Sequence, residues 1–223
     1  MESQVNREQN SKYHRILEAA VKVFAQLGFR QCTVSQIARE AGVADGTIYL
    51  YFKNKDDILI HFFSFKAKHV FDRFREEVAN GANSADKLRN LIRVHLAEFQ
   101  RDPEMAMVYQ VETHQINRLA EEQIRQMAKT YFDIISEIVE EGQQEGSMRR
   151  DLYIGLVKRF VLGAVEETIG TWLHSGRGYD LVSMADPLAD LILKGIGVSE
   201  SARRSNSNNL QIKGDRNHGP ANR

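Results

Sequence analysis

Cysteine and proline, two residue types that restrict the choice of fold, are nearly missing from this chain. Its 223 residues include one cysteine, Cys32, and three prolines. A single cysteine excludes an intrachain disulfide framework and fits a reducing compartment such as the cytoplasm. No apolar run reaches the roughly 18 to 20 residues of a membrane span, and we expect no export signal. These absences predict a soluble, cytoplasmic protein.

Strict apolar–polar alternation, the pattern typical of strands, is also scarce, whereas apolar residues recur at helical spacing along most of the chain. The sequence therefore predicts an all-α fold. Glycines and cap-type residues divide it into nine helices. We expect the first four helices at 11–27, at 33–41, from 45 onward and at 54–79. After a break at 80–84, the fifth helix ends near 101. The last four are expected at 105–117, 120–141, 151–174 and 181–195.

Residues 33–55, TVSQIAREAGVADGTIYLYFKNK, are typical of two short helices joined by a tight turn, with a third helix following. Thr33 and Ser35 are cap-type residues at the start of the first helix. Gly42 stands where a residue with positive φ ends a helix. Asp45 is the expected cap of the second helix, and Ile48 packs inward. Such a helix-turn-helix lays its second helix in the major groove of DNA.

The side chains around this turn are short, hydroxylated or cationic, which suits hydrogen bonds to base edges and phosphates. Lys55 follows Asn54 at a helix start, where an ammonium and backbone N–H groups can hold one phosphate. The alternative is that Tyr49, Tyr51 and Phe52 only close the small core, which we expect for Phe52. The predicted DNA-contacting residues are Thr33, Ser35, Gly46, Thr47, Tyr49, Tyr51 and Lys55.

Charge is unevenly distributed along the chain, although the net charge is zero. Residues 1–55 hold 8 basic and 5 acidic side chains, residues 56–198 hold 17 and 23, and residues 199–223 hold 5 and 2. A mildly basic head suits a polyanion, although ordinary surface charge explains the imbalance equally well. We expect a flexible N-terminus at 1–10, a helix-turn-helix domain at 11–55, a ligand-binding and dimerisation domain at 56–198, and a disordered tail at 199–223.

The head resembles the TetR family of bacterial one-component repressors, in which a helix ending in AG precedes GTIYLYF and then KNKDDIL. The resemblance extends to about Val198. It implies a two-domain helical fold, a body that binds a small ligand, and a homodimer on a palindromic operator. One departure is Ala44, which stands where many members place a capping serine, so the helix start must depend on Asp45.

The last two helices mix small and large apolar residues, which suits close helix contact. Given the resemblance, we expect them to pair with their symmetry mates in a four-helix interface. The alternative is that these residues form only an intrachain core. The residues are Leu156, Phe160, Gly163, Ala164, Leu188, Leu191 and Ile192.

Within the family, the chain resembles the bacillus-type regulators of fatty-acid degradation, which respond to long-chain acyl-CoA. The likeness lies in VADGTIYLYFKNKDDIL, in YQVETHQIN at 109–117 and in GAVEETIGTWLHSGRGYDL at 163–181. It implies a repressor of fatty-acid degradation genes that acyl-CoA releases from DNA. The alternative is a multidrug-sensing repressor of an efflux pump. The implied pocket lies among the fourth, fifth, seventh and eighth helices.

An acyl-CoA needs an apolar tunnel for its chain and cationic groups for its phosphates. Aromatic residues at helical spacing are more often core, and charges on helices are more often solvated, so each assignment below competes with that simpler interpretation. For the tunnel we expect Phe99, Tyr109, Tyr131, Phe160 and Trp172. For the phosphates we expect Arg93, Arg118, Arg125 and Lys129, and Glu112 is a candidate acceptor for ligand amides.

Enzymatic activity is not expected, because the sequence offers no credible pair of nucleophile and base. Glu112, Glu166 and Glu167 could suggest acid–base chemistry, but hydrogen bonding to a ligand or to neighbouring helices is the simpler interpretation. His61 and His69 lie two helical turns apart, too far to chelate one metal ion. We therefore expect no metal and no cofactor. The rival classes are an acyl-CoA-processing enzyme and an architectural DNA-binding protein without an effector.

Overall fold

The structure is a computed structural model. It describes the backbone of residues 2–113 and 120–198 and the side chains of 10–111 and 120–198. Over these residues the chain forms nine α-helices and one 3₁₀ turn, which confirms the predicted all-α class. The helices are α1 (Glu2–Leu27), α2 (Val34–Ala41), α3 (Asp45–Ile48), α4 (Lys55–Ala79), α5 (Ser84–Arg101), α6 (Pro103–Thr113), α7 (Glu121–Glu145), α8 (Ile154–His174) and α9 (Ala185–Ile196).

The first three helices form the head with the start of α4. Helix α1 packs on both α2 and α4, and α3 packs on α2. The buried side chains that join them are apolar at helical spacing, so the four segments share one core. They include Ile16, Ala20, Phe24, Ile37, Ala38, Ile48, Phe52, Ile58 and Leu59.

The body is built around α5, which packs against α4, α6, α7, α8 and α9. Asn83 caps α5 by accepting a 3.0 Å hydrogen bond from the N–H of Asp86. The next residue, Ser84, is buried, and its hydroxyl donates to Glu145 of α7 at 2.6 Å. Gly142 of α7 allows close packing, because a Cβ there would lie 2.7 Å from the Met148 side chain and 2.9 Å from the Ser84 hydroxyl. The start of α5 is thereby held against the end of α7.

Several predicted helix ends differ from the structure. Helix α1 begins at Glu2 rather than Ser11, because the polar residues before Ser11 include good helix formers and no glycine or proline. Helix α7 continues to Glu145, since Gly142 is accommodated inside it and the left-handed residue is Gly146. Helix α8 begins at Ile154, after the loop in which Arg149 bonds Asp151.

The predicted single helix over 181–195 is divided into a 3₁₀ turn (Leu181–Met184) and α9. Pro187 explains the division, because in a continuous helix its ring would clash with the carbonyl of Ser183. In the first turn of α9, the N–H that Pro187 lacks would have no helical acceptor, so no helical hydrogen bond is lost. Residues 114–119 and 199–223 lie outside the described residues, and the predicted end of the sixth helix and the predicted tail fall there.

Candidate nucleic-acid interface and ligand cavity

Local hydrogen bonds at the two ends of α2 fix the geometry of the helix-turn-helix. Thr33 and Gln36 form a capping box at the start of α2, with the Gln36 N–H donating to the threonine hydroxyl at 3.2 Å. Gly42 has φ 64°, the left-handed conformation that ends a helix with least strain on glycine. The N–H of Val43 then donates to the carbonyl of Ala38 at 2.9 Å. These bonds set the turn between α2 and α3.

Helix α3 begins differently from the prediction. Its N-cap is Ala44, whose methyl group cannot accept a hydrogen bond, and Asp45 is its first helical residue. The prediction that Asp45 caps the helix is wrong, because its carboxylate instead accepts a hydrogen bond from the hydroxyl of Ser35 on α2. Both predicted cap-type residues of α2, Thr33 and Ser35, are therefore engaged in holding the turn.

The outer side of α3 and of the turn after it is open to solvent. Gly46 is exposed, Thr47 is half-buried, Tyr49 is 59% exposed and Leu50 is 81% exposed. Leu50 was not predicted, although an exposed apolar side chain can contact a thymine methyl group. Tyr51 is half-buried beside Tyr13, with ring centroids 6.4 Å apart. This surface offers hydroxyl, aromatic and apolar groups to a DNA groove.

Phe52 and Lys55 hold the head together. Phe52 is buried and stacks on Tyr13 at 5.2 Å, as the prediction of a core role requires. The Lys55 ammonium donates to the carbonyls of Phe29 at 2.7 Å and Cys32 at 3.1 Å, and it lies 4.6 Å from the Phe29 ring centroid. Lys55 therefore ties α4 to the loop after α1.

Lys53 was missed by the sequence argument. It is exposed just before α4, and its N–H donates to the carboxylate of Asp57 at 2.9 Å. The signal that could have found it is its place two residues before Lys55, on the turn that α4 presents beside α3. As an exposed cation there, Lys53 has the character of a phosphate-contacting residue.

An apolar cavity of about 20 Å³ lies in the body, with room for about one water molecule. Helices α4, α5, α6, α7 and α8 all contribute to its wall. Phe99, Tyr109 and Tyr131 lie there, as predicted for the tunnel, and Tyr109 donates to Glu166 at 3.0 Å. The residues that the prediction missed are Val70, Phe71, Phe74, His95, Met127, Ala128 and Leu162.

Two predicted tunnel residues lie elsewhere. Phe160 is 55% exposed on the outer side of α8, so its assignment to the cavity wall is wrong. Trp172 is buried, but its indole N–H donates to the carbonyl of Tyr179 at 3.0 Å, outside the cavity lining. Helical spacing identifies which residues share a face, but it does not tell which neighbour that face meets.

The polar residues predicted to bind the ligand do not all lie at one site. Arg93 pairs with Asp186 of α9 at 2.5 Å, away from the cavity. The side chain of Glu112 and the whole of Arg118 lie outside the described residues. Arg125 and Lys129, by contrast, line one groove of about 520 Å³ together with Lys158 of α8. Lys158 lies 5.8 Å from the Phe132 ring centroid in the same groove.

This groove and the cavity meet at one residue, Ala128 of α7, which lines both. The groove also contains the carboxylates of Glu121 and Asp133, and Arg125 pairs with Glu122. Lys129 and Lys158 carry charge next to the apolar chamber, where it can bind an anionic group. An apolar cavity beside a groove that carries lysine side chains can hold a ligand with an apolar tail and an anionic head.

The cavity wall contains two buried polar atoms that find no hydrogen-bond partner among the described residues. They are Nδ1 of His95 and the hydroxyl of Tyr131. Burial lowers the pKa of His95 to about 3, so its ring is neutral at physiological pH. Burial also raises the pKa of Tyr131, and the Glu166 carboxylate adds to that rise. A lone histidine on an apolar helix face resembles core, which is why the sequence did not reveal it.

An apolar surface lies on the outer side of α8 and α9. Leu156, Phe160 and Leu191 are all exposed there, and Gly163 continues the same face of α8. Ile192 is buried inside the chain, whereas Ala164 and Leu188 are half-buried. The predicted interface residues are thus divided between an exposed strip and the core beneath it.

Two further properties hold for the described part of the chain. No helix there is long and apolar enough to cross a membrane. No cluster of histidine, cysteine or carboxylate side chains in the same residues could hold a metal ion.

Comparison with known families assigns both halves of the fold. Residues 16–62 match the bacterial regulatory proteins of the tetR family, and residues 63–195 match the C-terminal region of YsiA-like proteins. The chain belongs to the TetR family. It is a DNA-binding transcriptional regulator, as its resemblance to this family implied, and not an enzyme.

Relatives with known names extend this assignment. The chain is 38% identical to the fatty acid metabolism regulator protein of Bacillus subtilis over 190 residues, which cover 85% of this chain and 98% of that protein. The crystal structure of FadR from Bacillus subtilis in complex with stearoyl-CoA matches with a TM-score of 0.77, covering 82% of this chain and 99% of that one. FadR from Bacillus halodurans, 35% identical, matches with a TM-score of 0.78 over 82% and 95% of the two chains.

Proposed function

We propose that this TetR-family protein is a dimeric repressor of fatty-acid degradation genes that long-chain acyl-CoA releases from a palindromic operator. The observation that carries this proposal is the junction at Ala128, where an aromatic-lined cavity meets a groove that holds Arg125, Lys129 and Lys158. An acyl chain fits the first surface, and the coenzyme phosphates fit the second. Its relatives from two Bacillus species are named for fatty acid metabolism or degradation.

The small size of the cavity supplies a reason for ligand-driven change. About 20 Å³ accommodates one water molecule and not a long acyl chain. Insertion of the chain must therefore displace the walls. A ligand shifts an equilibrium only through its preference for one state, and a hundredfold preference corresponds to about 2.7 kcal/mol of coupling.

Helix α4 can carry this displacement to the head. Its C-terminal half gives Phe71 and Phe74 to the cavity wall, whereas its N-terminal half gives Ile58 and Leu59 to the core of the head. Lys55 at its first turn bonds the loop after α1. A shift of α4 at the cavity therefore moves the recognition surface around α3.

Helix α6 provides a second connection between cavity and head. It packs against α1 and places Tyr109 in the cavity wall. At its start, Asp102 accepts from the N–H of Met105 at 3.0 Å and pairs with Lys66 of α4 at 2.6 Å. Movement of α6 is thus coupled to movement of α4.

The exposed strip of Leu156, Phe160 and Leu191 supports a homodimer through α8 and α9. Pairing these helices with their symmetry mates would bury apolar side chains that the single chain leaves in water. A two-fold axis there would place two heads on one face of DNA, with recognition helices about 34–36 Å apart, in successive major grooves. Such a regulator acts in the cytoplasm, where the operator lies.

The efflux-pump alternative is supported less by this site. A sensor of cationic drugs favours acidic or purely apolar surroundings, whereas the groove beside the cavity presents Lys129 and Lys158 as well as the carboxylates of Glu121 and Asp133. Cationic dyes stack on aromatic side chains such as those that line the cavity, so the ligand test includes one.

The test is a fluorescence-anisotropy titration of the protein on an operator selected from random DNA. Oleoyl-CoA, free oleate and a cationic dye are then added in turn. The proposal predicts release by oleoyl-CoA at the lowest concentration. Release by the dye alone would favour the efflux alternative, and the lack of sequence-selective binding would contradict the repressor assignment.

A pair of charge reversals makes the test specific to the groove. Lys129→Glu should bind the operator normally but need roughly tenfold more oleoyl-CoA for release, because a phosphate contact becomes a repulsion. Lys68→Glu, the same change at an exposed position of α4 outside the groove lining, should release as the wild type does. Equal behaviour of the two variants would contradict the groove assignment.

A further inference from the structure

The His95 and Tyr131 side chains form a polar spot inside the apolar cavity. His95 on α5 and Tyr131 on α7 pack edge to face, with ring centroids 5.0 Å apart. Phe74 lies 5.2 Å from the His95 ring and Phe99 lies 5.0 Å from it, so the surroundings are aromatic. Both polar side chains are buried and line the cavity.

Neither polar atom is satisfied by the described residues. Nδ1 of His95 and the hydroxyl of Tyr131 are buried there without a hydrogen-bond partner. Nearly all buried polar atoms in folded proteins have one, because an unmet donor or acceptor destabilises the fold. Phenylalanine at position 131 would fill the same space without this penalty. The two atoms thus have the properties expected of groups kept for a ligand.

The pair can donate to a hydrogen-bond acceptor, and the apolar surroundings favour a neutral acceptor over an anion. The tyrosine hydroxyl can donate one hydrogen bond, and a neutral imidazole can donate a second one in the tautomer with its proton on Nδ1. The Tyr109 hydroxyl is already engaged with Glu166 on the same wall. An acyl thioester carries one neutral oxygen, its carbonyl, at the junction between chain and coenzyme.

The position of Tyr131 along α7 agrees with a contact to that carbonyl oxygen. Ala128, where groove and cavity meet, precedes Tyr131 by three residues, which is about one helical turn or roughly 4.5 Å along the axis. A ligand with its head in the groove and its chain in the cavity would bring the junction between them past Tyr131. We propose that the Tyr131 hydroxyl and Nδ1 of His95 bind the thioester carbonyl oxygen of the acyl-CoA, and so distinguish an acyl thioester from other long-chain ligands. This inference rests on the proposed function.

The test compares two ligands that differ in one oxygen. Palmitoyl-CoA has the carbonyl, and S-hexadecyl-CoA, a thioether with the same chain length, lacks it. Wild-type protein should bind palmitoyl-CoA roughly tenfold more tightly, the effect of about one good hydrogen bond. Tyr131→Phe should bring this ratio clearly closer to one, because only the Nδ1 donor of His95 then remains for the carbonyl. A wild-type affinity ratio near one, or the same ratio in wild type and Tyr131→Phe, would overturn the inference.

Two controls separate this role from a structural one. Tyr153→Phe removes an exposed tyrosine hydroxyl outside the cavity lining, so the affinity ratio between the two ligands should stay as in the wild type. Unliganded Tyr131→Phe should melt at the same temperature as the wild type or higher, because the deleted hydroxyl has no partner among the described residues. A clearly lower melting temperature would show that the hydroxyl serves the fold and would overturn the inference.

Failure of the proposed function gives a different result. If neither palmitoyl-CoA nor S-hexadecyl-CoA binds the wild type or releases the operator, acyl-CoA is not the effector, and the inference fails with it. If both ligands bind and release the operator equally well, the proposed function survives and only the carbonyl contact is refuted.

Discussion

Acidification should destabilise this protein through His95 in particular. The ring is buried among Phe74, Phe99 and Tyr131, and burial lowers its pKa to about 3 from an ordinary value of 6.5. The unfolded chain therefore binds a proton at this position between pH 6.5 and pH 3, and the folded chain does not. Stability is fully present above pH 6.5 and is lost as the pH falls toward 3.

The size of the effect follows from the two pKa values. Between pH 7 and pH 5 the unfolded state gains about 2 kcal/mol from protonating this one histidine, while the folded state gains almost nothing. That is a large share of the 5–15 kcal/mol typical of a folded domain. Below pH 5 the loss should continue at about 1.4 kcal/mol per pH unit.

The assay is urea unfolding followed by circular dichroism at pH 7, 6 and 5, for the wild type and for His95→Gln. Glutamine stays polar but cannot take up a proton, so the variant should lose about 2 kcal/mol less than the wild type between pH 7 and pH 5. All other ionisable groups are common to both proteins and cancel in the difference. Parallel pH profiles would refute the reasoning, because they would mean that the His95 ring is accessible to protons in the folded state.

Three further predictions concern the head, the outer strip and the body. Lys55→Ala should lower the free energy of unfolding in urea by about 1–3 kcal/mol, because the Lys55 ammonium donates to backbone carbonyls. Lys53→Ala should leave that free energy unchanged and reduce the salt slope of operator binding by about 1. The reverse pattern would contradict the roles given to the two lysines. Phe160→Asp should shift sedimentation toward the monomer and weaken operator binding, and an unchanged dimer would remove α8 from the interface. Glu145→Gln should lower the melting temperature at neutral pH, because hydrogen bonds from Ser84 stabilise the Glu145 carboxylate and hold its pKa below the ordinary value. The difference from the wild type should become smaller as acid protonates Glu145. A difference that stays constant with pH would contradict this role of the carboxylate.

The head could be predicted from sequence because its signals are local. Thr33 and Gln36 lie three residues apart in a capping box, and Gly42 ends α2 in the left-handed conformation. The cap of α3 could not be predicted, since the partner of Asp45 is Ser35, ten residues away on another helix. Lys55 is a similar case, because its contacts with the carbonyls of the loop after α1 exist only in the folded head.

The cavity was only partly predictable. Phe99, Tyr109 and Tyr131 are aromatic residues at helical spacing, and they line it as predicted. Phe160 has the same helical spacing but lies on the outer face of α8, where the single chain leaves it in water. His95 could not be recognised, because its significance depends on the absence of a hydrogen-bond partner among the described residues. That property belongs to the packing of five helices and not to any one of them.

The most direct test of the account is calorimetric titration of oleoyl-CoA into the free protein and into the protein saturated with operator DNA. If acyl-CoA releases the operator, linkage requires that the operator weaken acyl-CoA binding by the same factor by which acyl-CoA weakens operator binding. We predict a loss of acyl-CoA affinity of about a hundredfold on the operator complex, equivalent to about 2.7 kcal/mol. Equal affinities for the free and operator-bound protein would contradict the claim that this protein is an acyl-CoA-responsive repressor.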